Sequence, residues 1–265
     1  LGYCTGSFLS PNGLVATNHH CGFGIVQFNS TKEKNLMVDG FLAKDFAAEL
    51  PADPNQRLYV TEAITDISAR LTKGLDGVGG LKRYDAIDKR SKQAVADCER
   101  DPGYRCDVYN FNGGRNYLMI KQLEIKDVRL VYAPSEWIGN FGGDIDNWMW
   151  PRHTGDFAIA RAWAGKGGQS ADFSADNRPY APEFHFPIAK TGVSEGDFLM
   201  LLGYPGITWR ALIGEEMRER RERFFVRRED VFGEWIRILE ESSAGDAAGE
   251  IAVAANVKGI ANRHK

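Results

Sequence analysis

The stretch Thr17-Asn18-His19-His20-Cys21 decides how this chain is interpreted. A short apolar run, Leu14 to Thr17, leads into it from the turn sequence Ser10-Pro11-Asn12-Gly13. Proline and glycine favour turn conformations, and short apolar runs on both sides of a turn indicate β-strands. The sequence therefore predicts strands at Cys4 to Leu9 and Leu14 to Thr17, with two histidines and a cysteine directly after the second strand.

This order of residues resembles the histidine corner of trypsin-like serine peptidases. In that corner a strand that carries a cysteine leads through a turn to a second strand, which is followed by a histidine and a second cysteine. The resemblance implies that His20, which immediately precedes Cys21, is a general base. It also makes Cys4 and Cys21 a candidate disulfide. A base alone hydrolyses nothing, because acyl transfer also needs an orienting carboxylate, a nucleophile and an oxyanion hole.

The composition is that of an ordinary globular protein. Of 265 residues 43% are hydrophobic and 26% charged, which excludes disordered and collagen-like classes. The net charge of -3 gives no reason to expect a nucleic-acid partner, since the basic stretch Arg218 to Arg228 is interleaved with glutamates and is typical of a solvated helix face. No apolar run approaches the roughly 20 residues of a membrane helix, so we expect no membrane span.

The ends of the sequence indicate an excerpt from a longer protein. Leu1 is not an initiator methionine, and Arg263-His264-Lys265 follows a helical pattern that has no stop signal. We therefore expect an N-terminal fragment, whose lack of a signal peptide says nothing about location.

The four cysteines fall into two local pairs, Cys4 with Cys21 and Cys98 with Cys106. An even number at such spacings favours disulfides and an oxidising compartment, and each closed loop would stabilise the fold by roughly 2 to 3 kcal/mol. Four cysteines allow three connectivities, among which the sequence does not choose, and four reduced thiols are the alternative. Zinc is disfavoured by the spacing and because a strand would point His19 and His20 to opposite faces, so we expect no metal and no cofactor.

The hydrophobic pattern predicts a mixed, mainly β fold with trypsin-like β-barrels and helical insertions. Residues 1–62 are interpreted as first barrel strands, 63–116 as a helical insertion, 117–211 as the remaining barrel strands, and 212–265 as the start of an incomplete helical domain. Apolar residues at helical spacing place the helix of the insertion at Ile64 to Cys98. Further strands are predicted at Leu58–Thr61, Tyr117–Ile120, Lys126–Tyr132, Phe157–Trp163 and Phe198–Leu202, the last ended by a turn at Gly203–Gly206.

Asp156 is the candidate for the orienting carboxylate. It directly precedes the apolar strand Phe157 to Trp163. Trypsin-like enzymes hold their aspartate beside the imidazole, where it accepts the Nδ1 proton and stabilises the imidazolium. The order histidine then aspartate favours this role over that of an ordinary turn residue.

The segment Gly139 to His153 is rich in glycine, tryptophan, asparagine and aspartate and has no regular period. Such a stretch suits a loop that lines a cleft, where oxygens hold a cationic group and an indole walls it. A tight loop that covers a core edge explains the composition equally well. His153 and His185 belong to no motif and are interpreted as surface or hydrogen-bonded histidines.

The segment Gly139 to Trp163, with Thr17 to Cys21 and Asn29-Ser30-Thr31-Lys34-Asn35-Leu36, resembles the bacterial dipeptidyl-peptidase family that includes dipeptidyl-peptidases 7 and 11. The likeness extends to about residue 210. Members are periplasmic or cell-surface serine exopeptidases with a double β-barrel and an added helical domain, which release dipeptides from free N-termini.

The resemblance implies a base at His20, an orienting carboxylate at Asp156 and a clamp for the substrate α-amine at Asn147 and Trp148. An exopeptidase must measure a fixed distance from the amine to the scissile carbonyl, and acceptors beside an aromatic wall would do so. The implied partners are peptides with free N-termini. A homodimer of the full-length protein, and an acidic or a hydrophobic residue before the cut, stay open.

The sequence departs from the family pattern at the nucleophile. No serine has the glycine-rich context that positions an oxyanion hole. We therefore expect the 265 residues alone to be inactive, and the resemblance implies a nucleophile later in the full-length protein. One alternative is an inactive trypsin-like barrel that binds peptides. Another is metal-dependent hydrolysis by the two histidines with Asp144, Asp146 or Asp156.

Overall fold

The computed structural model describes residues 4–200 and 211–264. The strands of this part of the chain are β1 Ser7–Phe8, β2 Leu14–Thr17, β3 Phe41–Leu42, β4 Leu50–Pro51, β5 Leu58–Asp66, β6 Tyr104–Phe111, β7 Asn116–Ile125, β8 Asp127–Ala133, β9 Ala158–Ala164 and β10 Arg178–Pro179. The α-helices are α1 His19–Phe28, α2 Leu36–Asp39, α3 Ser68–Thr72, α4 Gly80–Cys98, α5 Glu136–Gly139, α6 Gly143–Asp146, α7 Gly214–Glu219, α8 Phe225–Ser243 and α9 Ala247–His264. Short 3-10 turns lie at Phe46–Ala48 and Lys166–Gly168, and a π-helical turn at Arg220–Phe224 joins α7 to α8.

The chain forms two compact units. The first, called the hairpin unit, contains Pro54–Val128 and Ala162–Ala181. The second, called the site unit, contains residues 4–53, Arg129–Arg161 and the described residues after 181. Strands β8 and β9 each contribute residues to both units.

The hairpin unit is built on the antiparallel strand order β5-β7-β6, with β10 pairing the end of β9. Its small core joins α3, α4 and β7, where apolar side chains pack together: Ile67, Leu71, Ala94 and Tyr117, flanked by Ile87, Val108 and Met119. The Cys98–Cys106 disulfide ties the end of α4 to β6, and the Glu99 carboxylate accepts the Cys106 N–H at 3.0 Å. The unit is therefore closed by covalent and polar contacts around a modest core.

The site unit contains the antiparallel pairs β1–β2, β2–β9, β3–β8 and β4–β8. Helix α1 buries Phe23, Ile25 and Val26, and Gly22 lies so close to Ala158 that an added Cβ would meet the alanine Cβ at 3.1 Å. The buried Arg161 Nε donates to Glu49 Oε1 at 2.6 Å. Helix α1 is thereby packed directly against the start of β9.

Several sequence predictions hold and others need correction. A mixed, sheet-rich fold is confirmed, with open sheets in the described residues, while closure into barrels and the four domain boundaries stay predictions. Residues 63–116 are not purely helical, because β5 continues to Asp66 and β6 runs over Tyr104–Phe111. Residues 198–200 of the last predicted strand are not in a strand. Residues 201–210 lie outside the described residues. They contain the rest of that predicted strand and the predicted turn at 203–206.

The helices after residue 212 lie where the sequence places them, from Gly214 onward. None of the helices in the described ranges has the length and apolar character needed to span a membrane.

Candidate active site

The register of two strands brings His20 and Asp156 together. Thr17, the last residue of β2, lies opposite Ala158, the first residue of β9. Because the strands are antiparallel, the residues just after Thr17 and just before Ala158 leave the sheet at the same edge. The His20 Nδ1 lies 2.8 Å from Asp156 Oδ2, within hydrogen-bonding reach. The spatial arrangement expected for a base and its orienting carboxylate is present.

Two further donors hold the Asp156 carboxylate. The His20 backbone N–H donates to Oδ1 at 3.0 Å, and the Asn18 amide donates to Oδ2 at 3.1 Å. The Asp156 side chain is 23% exposed, whereas that of His20 is 68% exposed. The carboxylate is therefore fixed from three sides, and the imidazole keeps a face open to solvent.

Asp156 is ionised at neutral pH. Burial by itself would raise the pKa of the Asp156 carboxyl, but the hydrogen bonds from the His20 side chain and backbone, the charge of His20 and the Asn18 amide outweigh it. The net result is a pKa below its ordinary value. An ionised carboxylate that accepts from Nδ1 leaves the Nε2 of a neutral His20 unprotonated, as a general base requires.

Both histidines begin helix α1 rather than continue a strand, which corrects the sequence interpretation. Asn18 has an extended backbone, and its carbonyl accepts the Cys21 and Gly22 N–H groups at 3.1 Å. Its side chain caps nothing because it is bonded to Asp156. Successive helical residues point about 100° apart. His19 therefore turns inward at 1% exposure while His20 turns outward.

His19 is a buried imidazole wedged beneath the loop that leads to Asp156. Its ring lies so close to Gly139 that an added Cβ would stand 2.4 Å from Cγ, so only glycine fits there. The ring also meets Phe23 edge-on at 5.9 Å. Burial, and then the charge of Lys258, lower the pKa of His19 below its ordinary value. No hydrogen-bond partner for its Nε2 is found among the described residues.

A cavity of about 540 Å³ opens beside the histidine pair. Its walls come from α1, from the loop between α5 and β9, and from α9: His19, His20, Phe23, Gly24, Gly139, Asn140, Asp144, Asn147, Trp148, Met149, Arg152, Asp156, Ala255, Lys258, Gly259 and Asn262. No serine is among the described residues that line it. The cavity thus offers a base and polar anchors, while a nucleophile would have to come from elsewhere.

Asn147 and Trp148 lie in this wall and contact a residue of α9. Asn147 Nδ2 donates to Asn262 Oδ1 at 3.0 Å, and Trp148 Nε1 donates to the Asn262 carbonyl at 3.3 Å. The Arg152 guanidinium donates to Asn147 Oδ1 at 2.7 Å. We call Asn147, Trp148, Arg152 and Asn262 the asparagine cluster. It joins the loop to a helix more than 100 residues away in sequence.

Trp148 has a left-handed backbone, with φ at 63°. A bulky side chain in this region costs roughly 1 to 2 kcal/mol, and such strained residues concentrate at functional sites. The indole is 73% exposed, so packing of the side chain does not explain the conformation. The strain is consistent with the wall function predicted for Trp148.

The loop is pinned at its base, immediately before Asp156. The Gly155 N–H donates to the Ile138 carbonyl at 2.9 Å, and the Thr154 hydroxyl donates to the Gly139 carbonyl at 3.0 Å. On the opposite side, Lys258 of α9 pairs with Glu136 at 2.8 Å. Residues of this loop therefore line the cavity, while its base at Gly139 also covers the buried His19 ring.

Sequence reasoning missed several contributors. Asn18 belongs to the motif Thr17 to Cys21, but no sequence pattern indicated its hydrogen bond to Asp156. Arg152 lies in the quoted loop without an assigned role. Lys258 and Asn262 lie in an alanine-rich helix that has no motif, so no pattern could have singled them out. His153 and His185 are exposed, as interpreted.

Both predicted disulfides, Cys4–Cys21 and Cys98–Cys106, are present. Within the described residues, one group of side chains could hold a metal, namely Cys4, His20 and Cys21, whose ligand atoms lie within 4.8 Å of one another. The two sulfurs are bonded to each other, so neither is available as a thiolate ligand. The grouping of both histidines with Asp144, Asp146 or Asp156 does not occur among those described residues, and the metal-hydrolysis alternative loses its ligand set.

Comparison with known proteins identifies the family of this chain. The family model described as Peptidase S46 matches residues 1–265. The chain belongs to the peptidase S46 family. The resemblance inferred from the sequence is thereby confirmed.

Two curated relatives of this S46 chain have different names and different sequence identities to it. An Asp/Glu-specific dipeptidyl-peptidase from Shewanella putrefaciens is 44% identical over 265 residues, which are 100% of this chain and 36% of that protein. A dipeptidyl-peptidase 7 from Porphyromonas gingivalis is 34% identical over 265 residues, 100% of this chain and 37% of that protein. The S46 chain thus spans little more than a third of these relatives.

A solved structure supports the fold. The crystal structure of Porphyromonas endodontalis DPP11 in complex with the dipeptide Arg-Glu matches with a TM-score of 0.87 at 35% identity. The match covers 99% of this chain and 38% of that one.

Proposed function

We propose that this S46 chain is the N-terminal portion of a serine dipeptidyl-peptidase that releases dipeptides from peptides with free N-termini. His20 acts as general base and Asp156 orients it. The observation that carries the proposal is the 2.8 Å contact between His20 Nδ1 and the ionised Asp156 carboxylate at the mouth of a cavity. In acyl transfer, His20 would take the proton of the nucleophile and return it to the leaving amine.

The asparagine cluster is proposed to clamp the substrate α-amine. Asn147 and Trp148 line the same cavity as His20, and Asn262 supplies a side-chain oxygen beside them. A protonated amine needs acceptors, and an indole face attracts a cation. The clamp would set the distance between the amine and the scissile carbonyl, so that two residues are released together.

The nucleophilic serine is proposed to lie in the part of the full-length protein outside this chain, so the 265 residues alone are inactive. The serine-free lining of the cavity supports this. The two disulfides support a periplasmic or cell-surface location, because disulfides persist in oxidising compartments.

For the residue before the cut we propose Asp or Glu. The support is the 44% identity with an Asp/Glu-specific relative, against 34% with a dipeptidyl-peptidase 7, each over the whole chain. Substrates with leucine or phenylalanine before the cut would be the better ones if this proposal is wrong.

The decisive experiment assays the full-length protein on fluorogenic dipeptidyl substrates, free or N-acetylated, with and without a serine-directed covalent inhibitor. We expect release from the free peptides alone and its loss after inhibition. The variant His20→Ala should be inactive, whereas His185→Ala, a change at an exposed histidine, should behave as wild type. Peptide binding without turnover or inhibitor labelling would instead identify an inactive peptide-binding barrel.

A further inference from the structure

The asparagine cluster contains a cation that the proposed clamp does not need for charge. Arg152 lines the cavity and donates to Asn147 Oδ1 at 2.7 Å. Its Nε is buried and has no hydrogen-bond partner among the described residues. A guanidinium repels a substrate ammonium, so its presence in this wall calls for another reason.

A guanidinium fixes the direction of a hydrogen-bond chain because it only donates. The oxygen of the Asn147 amide must face Arg152, and its nitrogen must then face Asn262. The contact from Asn147 Nδ2 to Asn262 Oδ1 at 3.0 Å is the one this direction requires. Arg152 therefore determines that the Asn147 oxygen faces the guanidinium and that the Asn147 nitrogen faces Asn262 Oδ1.

The direction matters because a substrate ammonium also only donates. An amide oxygen has two lone pairs, and Arg152 uses one on Asn147. The second lone pair of Asn147 Oδ1, and that of Asn262 Oδ1, remain able to accept from an amine. With the Asn147 amide reversed, its NH₂ group would compete with the ammonium for the same side of the cluster.

We propose that Arg152 is a positioning residue for the substrate amine, which acts by holding the Asn147 amide with its oxygen as acceptor. This inference rests on the proposed function and deepens it. Two physical effects of Arg152 oppose each other: its charge disfavours the ammonium, and its hydrogen bond orients the acceptor. Orientation of the acceptor dominates over charge repulsion, so removal of Arg152 weakens binding of the amine.

The test measures binding of a free dipeptide and of its desamino analogue, in which hydrogen replaces the α-amino group, as competitive inhibitors of the full-length protein. For Arg152→Met we expect the dipeptide to bind about 10-fold more weakly, the size of one lost oriented hydrogen bond. The desamino analogue, which keeps the carboxylate, should bind as to wild type. In turnover, KM should rise by a similar factor and kcat should change less than threefold.

Arg152→Lys is the matched variant, because an ammonium also only donates. We expect it to restore most of the affinity for the dipeptide. In the Asn147→Ala background, Arg152→Met should have no further effect. Should Arg152→Met fail to fold, Arg152→Gln replaces it with the same two ligands, and weaker selective loss is expected since glutamine can present either a donor or an acceptor.

Tighter dipeptide binding by Arg152→Met would mean that charge dominates and would overturn the proposal. So would equal weakening for both ligands, which would assign Arg152 to the carboxylate or to the fold, or additive effects of the two substitutions. A wild-type protein that neither cleaves nor binds dipeptides would instead refute the proposed function itself.

Discussion

The His20–Asp156 pair and the asparagine cluster share one cavity but are built in different ways. The pair joins the end of β2 to the start of β9, and its 2.8 Å contact follows from strand register. The cluster depends on Asn262, a helical residue 115 positions from Asn147 in sequence. The proposed chemistry is thus held by the sheet, whereas the proposed measurement of the substrate depends on the position of α9.

The largest effect is expected at the pair. In the full-length protein, Asp156→Asn should lower kcat roughly 10⁴-fold, because the amide presents a donor to Nδ1 and favours the wrong tautomer of His20. KM for a free dipeptidyl substrate should stay within about threefold of wild type, since the cluster is untouched. Steady-state kinetics measures both.

The matched control is Asp144→Asn, a change at another carboxylate that lines the cavity and has no assigned catalytic role. A fall of less than tenfold in kcat for Asp156→Asn would contradict the proposed role of this carboxylate in orienting His20.

The second comparison uses the two disulfides, one beside the pair in the site unit and one within the hairpin unit. Replacement of Cys4 and Cys21 by alanine opens a loop of 17 residues and should lower the free energy of unfolding by about 3 kcal/mol. Replacement of Cys98 and Cys106 opens a loop of 8 and should cost slightly less, about 2.5 kcal/mol. Urea unfolding of the full-length protein measures both losses.

We expect the two double variants to differ more in kcat than in the free energy of unfolding. Cys21 directly follows His20 in the first turn of α1, so its loss should also reduce kcat about 10- to 100-fold below the unfolding temperature. The Cys98–Cys106 variant should keep wild-type kcat. Equal kcat for the two double variants would show that the first disulfide has no role in positioning His20.

The third prediction addresses the cluster. Asn262→Ala removes the acceptor that faces Asn147, and KM for free-amine substrates should rise about 10- to 100-fold while kcat changes little, as expected for a lost hydrogen bond to a charged group. Arg263→Ala, an exposed neighbour on α9, is the control and should leave KM unchanged. A fall in kcat at constant KM would instead connect Asn262 to the chemistry of the pair.

The same contrast explains what the sequence could predict. His20 and Asp156 flank strands, and a short motif marks each, so the sequence could predict that these two residues lie together. The start of α1 at His19 was missed because Gly22 and Gly24 weaken any helical signal there. Asn262 and Lys258 were missed because their partners are over 100 residues distant, and side-chain contacts across such separations leave no periodicity. Closure of the sheets into barrels is a tertiary property that strand patterns alone do not determine.

The smallest expected effect concerns His19, which lines the same cavity as the pair and the cluster: its ring meets Phe23 edge-on and lies against Gly139, and burial, followed by the charge of Lys258 of α9, lowers its pKa. Asp156 and Glu136 act in the opposite direction, and His20 in the same direction as Lys258. In the unfolded chain His19 titrates near 6.5. Below that pH the unfolded state binds the proton and the folded state does not, so the free energy of unfolding falls as pH falls toward the lower folded pKa.

We therefore expect wild-type protein to lose stability between pH 7.5 and pH 5.5, and His19→Leu to lose less over the same interval, as measured by urea unfolding at each pH. Leucine fills similar space and leaves no unpartnered Nε2, so the comparison concerns the slope with pH and not the absolute stability. His153→Leu, at an exposed histidine, should reproduce the wild-type slope. If the His19→Leu slope equals that of wild type, the pKa of His19 is the same in the folded and unfolded states, and burial of this ring contributes no proton-linked stability.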